Sequence, residues 1–178
     1  MDIHSVNYPA PKFEMTSRSI ADVTDLIVHH SDGPQDQSPL AIDAEHRAEN
    51  PPFAMIGYNF VIAGDGTVYE GRPVGFVPSA AFGRNSVSID VCLLGDYQPG
   101  TPGYNGQVPT AQLQALKDLS VAIHRQYPSI VRTIGHRDVA SFYPEDERYL
   151  YATACPGDTL YAYLPEVRKY TAAKINTL

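Results

Sequence analysis

Asp25-Leu26-Ile27-Val28-His29-His30-Ser31-Asp32-Gly33-Pro34 reads as a short core strand that runs directly into a turn. The apolar run is too short for a helix, and Ser-Asp-Gly-Pro is a strong chain-reversal signal. Two histidines at the end of a buried strand put polar rings where a sheet meets its loops. Side chains alternate along a strand, so His29 and His30 point to opposite faces and only one of them can serve a given site. Periodicity leaves open which.

Outward from this strand, helical and strand patterns alternate. Residues 40–49 can form a helix that Pro51-Pro52 ends. Residues 58–62 and 67–70 flank Gly64-Asp65-Gly66 and read as a hairpin. Residues 87–94 form a nearly continuous apolar strand, covered on both faces and interrupted by Asp90. Thr110 is placed to cap a helix from Ala111, whose buried face is Leu113, Leu116, Leu119 and Ile123. Residues 130–135 form another strand. After Gly157 the chain turns helical, with a break near Pro165. The alternation predicts an α/β fold, a sheet flanked by α-helices. Residues 1–24, with Pro9 and Pro11, read as an extended N-terminal arm, and residues 25–178 as a single domain.

Composition narrows the functions. A chain of 178 residues with 43% hydrophobic content is large enough to bury one core. A net charge of −7 argues against nucleic acid, which needs a basic face, and gives no attraction to anionic membranes. No stretch can span a bilayer. Residues 1–19 show neither a basic start nor an apolar run, so no signal peptide is read there. Two cysteines are too few for a disulfide framework. Cys92, inside an apolar strand, reads as packed core.

Cys155 has a different setting, Thr153-Ala154-Cys155-Pro156-Gly157-Asp158, and a third motif is Thr133-Ile134-Gly135-His136-Arg137-Asp138. His29 and His136 both end strands. If those strands are neighbours, the two rings emerge together where open α/β sheets place ligands, and Cys155 follows on a loop. Two imidazoles and a thiolate suit a zinc ion (Zn2+) with one position open for water. His46 and His124 fall in helical stretches and read as surface or structural. A rival use of Cys155, as a peptidase nucleophile, is disfavoured because Pro156-Gly157 follows it in place of a helix start. Serine-elbow, His-Glu-x-x-His and phosphate-loop motifs are absent.

The segments around His29, Gly57-Tyr58-Asn59-Phe60-Val61-Ile62, Asp65-Gly66-Thr67-Val68-Tyr69-Glu70-Gly71-Arg72, residues 88–95, Gly135-His136-Arg137-Asp138 and Ala154-Cys155-Pro156-Gly157 occur in a telling order. Over residues 25–170 the chain resembles the zinc-dependent N-acetylmuramoyl-L-alanine amidases of the phage-lysozyme and peptidoglycan-recognition-protein superfamily. The resemblance implies a central mixed sheet with a zinc cleft at its edge. It implies His29, rather than His30, as first zinc ligand, with His136 and Cys155 as the others. Tyr58 and Thr153 are implied as catalytic partners, Tyr58 beside the reacting water. The implied substrate and partner is peptidoglycan, a muramyl peptide, met at the cell wall by a periplasmic, secreted or phage-released monomer. The alternative within the superfamily is a non-catalytic peptidoglycan-binding module, which usually lacks the cysteine. The chain departs from the pattern at Ser79-Ala80-Ala81, where a histidine usually stands, and at Glu45, where a tryptophan usually does. Its link from His136 to Cys155 is also longer than usual, so residues 139–154 read equally as a solvated loop or a substrate-touching rim. No general base is placed; Asp90 is expected to face away from the metal.

Overall fold

In the computed structural model of the chain, residues 1–176 are described, so the last two residues of the expected 25–178 domain lie outside them. Six strands form one mixed sheet: β1 (Ile3–His4), β2 (Asp25–His30), β3 (Phe60–Ile62), β4 (Val68–Glu70), β5 (Ser88–Leu93) and β6 (Arg132–Gly135). Their spatial order is β1-β4-β3-β5-β2-β6. Strands β3, β5, β2 and β6 are mutually parallel, and β4 returns antiparallel to β3 as the expected hairpin. The helices are α1 (Pro39–Ala48), α2 (Thr110–Gln126), α3 (Asp158–Tyr161) and α4 (Leu164–Ile175).

Register divides the central strands into two unlike faces. Leu26 and Val28 of β2, Ile89, Val91 and Leu93 of β5, and Phe60 and Ile62 of β3 join Leu116, Leu119, Leu164 and Val167 of α2 and α4 in one core. The neighbouring positions, which alternation sends to the opposite face, are Asp25, Ile27 and His29 on β2 and Ser88, Asp90 and Cys92 on β5. All six are buried. The expectation that β5 is covered on both faces is met, but one face is polar, which is why Asp90 interrupts the apolar run.

Two local readings change. Thr110 is the first residue of α2, not its cap; Pro109 takes the cap position and supplies no side-chain acceptor. The second concerns residues 1–24, read as an extended arm: they contain a short strand, Ile3–His4, which pairs in parallel with β4 at the sheet edge. Arg47 of α1 donates to the carbonyls of Pro9 and Ala10, and Arg18 donates to those of Val74 and Asn85. No helix among the described residues is long and apolar enough to cross a membrane.

Candidate active site

His29 lies one residue before the end of β2, and β6 runs parallel beside it with Val28 opposite Gly135. The next residues, His29 and His136, therefore emerge side by side at the carboxyl ends of adjacent strands, with ring centroids 4.7 Å apart. Asp138 holds the turn beyond β6, because its carboxylate accepts from the Gly135 N–H at 2.9 Å and from the Tyr161 hydroxyl at 2.6 Å. The Arg137 N–H donates to the Cys155 carbonyl at 2.8 Å, which brings the later loop against this turn. The Cys155 Sγ then stands 3.6 Å from His29 Nδ1. One ligand-type atom each of His29, His136 and Cys155 all lie within 4.8 Å of one another. Both cysteines are free thiols.

The donor set fits zinc. Two imidazole nitrogens and a thiol sulfur are the preferred ligand types, three protein ligands leave a fourth position for chemistry, and the cluster opens on a cavity of about 400 Å³. The cavity is lined by His29, His136, Cys155, Tyr58 and Thr153, with Gln98 and Thr101. A larger cavity of about 660 Å³, beside Gln35 and Asn105, contains none of these five candidate residues.

Behind His29 the buried Asp90 carboxylate sits 2.7 Å from Nε2 and also accepts the Ser88 hydroxyl at 2.6 Å. The expectation that Asp90 faces away from the metal is not met: it lies on the same sheet face as His29 and reaches the ligand atoms through that ring. It holds the proton on Nε2 and leaves Nδ1 to face Cys155. Sequence reading passed over this role. The signal was parity: His29 pairs with Cys92, and Asp90, two residues before Cys92, shares its face. Burial acts most strongly on His29 and opposes its charge, but Cys155 and Asp90 outweigh it and raise the pKa to about 9. Burial, helped by the charges of His29 and His30, pushes His136 down to about 3. The pair is split, and the His136 lone pair stays available to a ligand.

Tyr58 lies against His29, with ring centroids 5.2 Å apart. Burial, then Cys92, Cys155 and Asp90, push its hydroxyl well above the ordinary phenol range, so it stays a donor at neutral pH. Its backbone is fixed from several sides. His46 Nδ1 accepts the Gly57 N–H at 2.9 Å, and its ring packs on Phe53 and Tyr58. The Arg72 guanidinium donates to the carbonyls of Met55, Ile56 and Val77. A Cβ at Gly57 would fall 2.2 Å from the Ser79 carbonyl oxygen, so only glycine lets these segments cross. His46 is structural, as expected, and burial followed by the nearby Arg72 lowers its pKa to about 4. Thr153 Oγ1 accepts the Cys155 N–H at 3.1 Å, so it shapes the thiol loop as well as lining the cleft.

The other histidine of the pair, His30, also borders the cavity but is tied elsewhere. His30 Nδ1 accepts the Tyr97 N–H at 3.1 Å. His30, Asp32 and Asp96 also converge within 4.8 Å, but Asp96 already receives Gln98 N–H and the Thr101 hydroxyl. That group ties a loop together.

Fold and cleft together define an α/β protein with its candidate chemistry at the carboxyl ends of parallel strands. The chain belongs to the N-acetylmuramoyl-L-alanine amidase family, whose pattern matches residues 20–158. It is 34% identical over 166 residues to peptidoglycan-recognition protein SC2 of Drosophila melanogaster, covering 84% of this chain and 80% of that one. It is 43% identical over 86 residues to the endolysin of Klebsiella phage KP32, covering 48% and 55% of the two chains. Among solved structures, N-acetylmuramoyl-L-alanine amidase LysC from Clostridium intestinale URNW superposes with a TM-score of 0.75 at 26% identity, covering 100% of this chain and 99% of that one. The family and the mixed-sheet fold expected from the motifs are borne out, and the chain stands among peptidoglycan-directed proteins.

Proposed function

We propose that the protein is a zinc-dependent amidase that hydrolyses the amide between the lactyl group of N-acetylmuramic acid and L-alanine in peptidoglycan, acting at the cell wall. The observation that carries this reading is the convergence of His29, His136 and Cys155 in an open cleft. A binding module has no use for a thiol held beside two imidazoles. Zinc held there supplies Lewis-acid polarisation of a carbonyl and acidification of water.

The chain's own groups do the rest. Asp90 fixes the His29 tautomer through Nε2. Tyr58, protonated and lining the cleft, donates a hydrogen bond to the oxygen on which negative charge develops as the carbonyl becomes tetrahedral. Thr153 accepts from the Cys155 N–H and keeps its own proton free to orient the amide or the departing amine. Gln98 and Thr101 form a polar wall of the cleft, held in place by hydrogen bonds to Asp158 and Asp96.

The test is mass spectrometry of purified peptidoglycan incubated with the protein, with and without a chelator. Stem peptides with a free L-alanine N-terminus should appear only without chelator and return when zinc is restored. Wall fragments that bind the protein but stay uncut would leave it a binding module. Cleavage that survives the chelator and is blocked by thiol alkylation would make Cys155 a nucleophile.

A further inference from the structure

The segment between His136 and Cys155 is not a loose surface loop. Its Tyr143 and Tyr151 rings stack at 3.6 Å and 9°, and Tyr151 stacks in turn on Phe82 at 5.6 Å and 17°. The three rings form one column joining this segment to the loop before β5. The column is braced at its inner end. The Tyr143 hydroxyl donates to the Gly83 carbonyl at 2.7 Å. Gly83 has φ +86, and a Cβ there would fall 2.2 Å from the Tyr143 hydroxyl oxygen, so glycine permits the contact. Phe142 lies beneath the guanidinium groups of Arg84 and Arg132, at 4.5 and 5.0 Å, and both arginines pair with buried Asp25.

The outer end is bare. Phe82 is 70% exposed, a large ring held by stacking yet turned to water. Held in a fixed plane with one face uncovered, this ring is available to a ligand. Its place relative to the cleft says what it binds. Ala80 and Thr153 both line the cleft, and each is two residues along the chain from a ring of the column, Phe82 and Tyr151. A substrate whose reacting carbonyl sits in the cleft extends from it in two directions, as glycan and as peptide. The peptide carries carboxylates and amides, which call for cations and hydrogen-bonding groups. The exposed end of the column, Phe82, offers neither, and Arg84 close by is engaged by Asp25. A pyranose presents a face of C–H bonds of matching size, which packs flat on an aromatic ring.

The geometry points to Phe82, backed by Tyr151 and Tyr143, as a saccharide platform that takes a sugar of the glycan strand beyond the muramoyl residue in the cleft. This rests on the peptidoglycan reading given above. The platform accounts for the long His136–Cys155 link as a specificity element for strands over single-sugar fragments.

The test compares two substrates of the zinc-loaded full chain: N-acetylmuramoyl-L-alanyl-D-isoglutamine, with one sugar, and uncrosslinked glycan strands bearing the same peptide. Phe82→Ala should lower kcat/KM on strands about tenfold, which is about 1.4 kcal/mol, and leave the single-sugar substrate unchanged. Phe82→Trp, which keeps a ring face, should retain activity on strands. Equal loss on both substrates, or no loss on either, overturns the platform. The β-1,4-linked tetramer of N-acetylglucosamine has no amide to cut and reports on the platform alone. The wild-type chain should bind it, and Phe82→Ala about tenfold less. Equal binding by both, or none by the wild type, overturns the platform, whereas failure of the wild type to cut either substrate overturns only the amidase reading.

Discussion

Replacing Asp90 with asparagine keeps the shape of the side chain and removes its negative charge from behind His29. The carboxylate can only accept at 2.7 Å from Nε2, so it holds the proton there and keeps Nδ1 as the ligand atom beside Cys155. The substituted amide can instead present its NH2 group to Nε2, which drives the proton to Nδ1 and closes the ligand position. A buried hydrogen bond to a charged group is worth about 1.5–3 kcal/mol. Loss of such a support behind a ligating histidine typically costs about 10- to 100-fold in metal affinity, or about 1.4–2.7 kcal/mol, and the two scales agree. Asp90→Asn should therefore weaken zinc binding by about 10- to 100-fold. Competition against a chromophoric chelator at fixed pH measures this, with circular dichroism to confirm an intact fold. A folded Asp90→Asn protein that binds zinc as tightly as the wild type would refute the argument that Asp90 sets the tautomer.

Tyr58→Phe should lower turnover by about two to three orders of magnitude while zinc content, measured by atomic absorption, stays at the wild-type level. Cys155→Ser should lose zinc and activity together; full zinc content with normal cleavage would remove Cys155 from the ligand set. His46 is held neutral, with a folded pKa of about 4 against about 6.5 in an unfolded chain. The unfolded state therefore binds the proton first, so the contribution of this group is level above pH 6.5 and falls between pH 6.5 and 4, by at most about 3 kcal/mol. Urea melts of the metal-free protein from pH 4 to 6.5 should show a fall to which both His46 and His136 contribute, and His46→Gln should make it shallower; an unchanged slope would dismiss His46 as a source. Leu119→Ala, at a fully buried position between α2 and the sheet, should cost about 2–5 kcal/mol in the same melts without altering zinc stoichiometry.

The helical spacing of Leu113, Leu116, Leu119 and Ile123 was enough to find α2 and its buried face, since a single element decides that pattern. His136, Cys155 and the His29-His30 pair were legible because each closes a local motif whose turn chemistry is written beside it, but the choice of His29 over His30 came from the ordered family motifs and not from local pattern. Asp90 was not, because its role depends on β5 lying next to β2 in a particular register, and no local pattern carries that adjacency. The ring column was hidden for the same reason: Phe82 and Tyr151 are far apart in the chain, and neither residue alone distinguishes a rim from a solvated loop. Thr110 misled because it has the right chemistry for a cap, yet Pro109 before it occupies that position.

The two-faced sheet separates labour residue by residue. Along β2 and β5, substitutions at Leu26, Val28, Ile89 and Val91 act on the packed core, whereas those at His29, Asp90 and Cys92 act on the cleft side. A systematic substitution scan scored separately for abundance and for zinc binding should then part the two scores at His29 and Asp90, where zinc binding falls further than abundance, and not at Asp25 or Ile27. Those two positions share the face of His29 but keep the fold, Asp25 by pairing with Arg84 and Arg132 and Ile27 by packing with Ala81 and Val139, so the site end of each strand can vary while its far end is held.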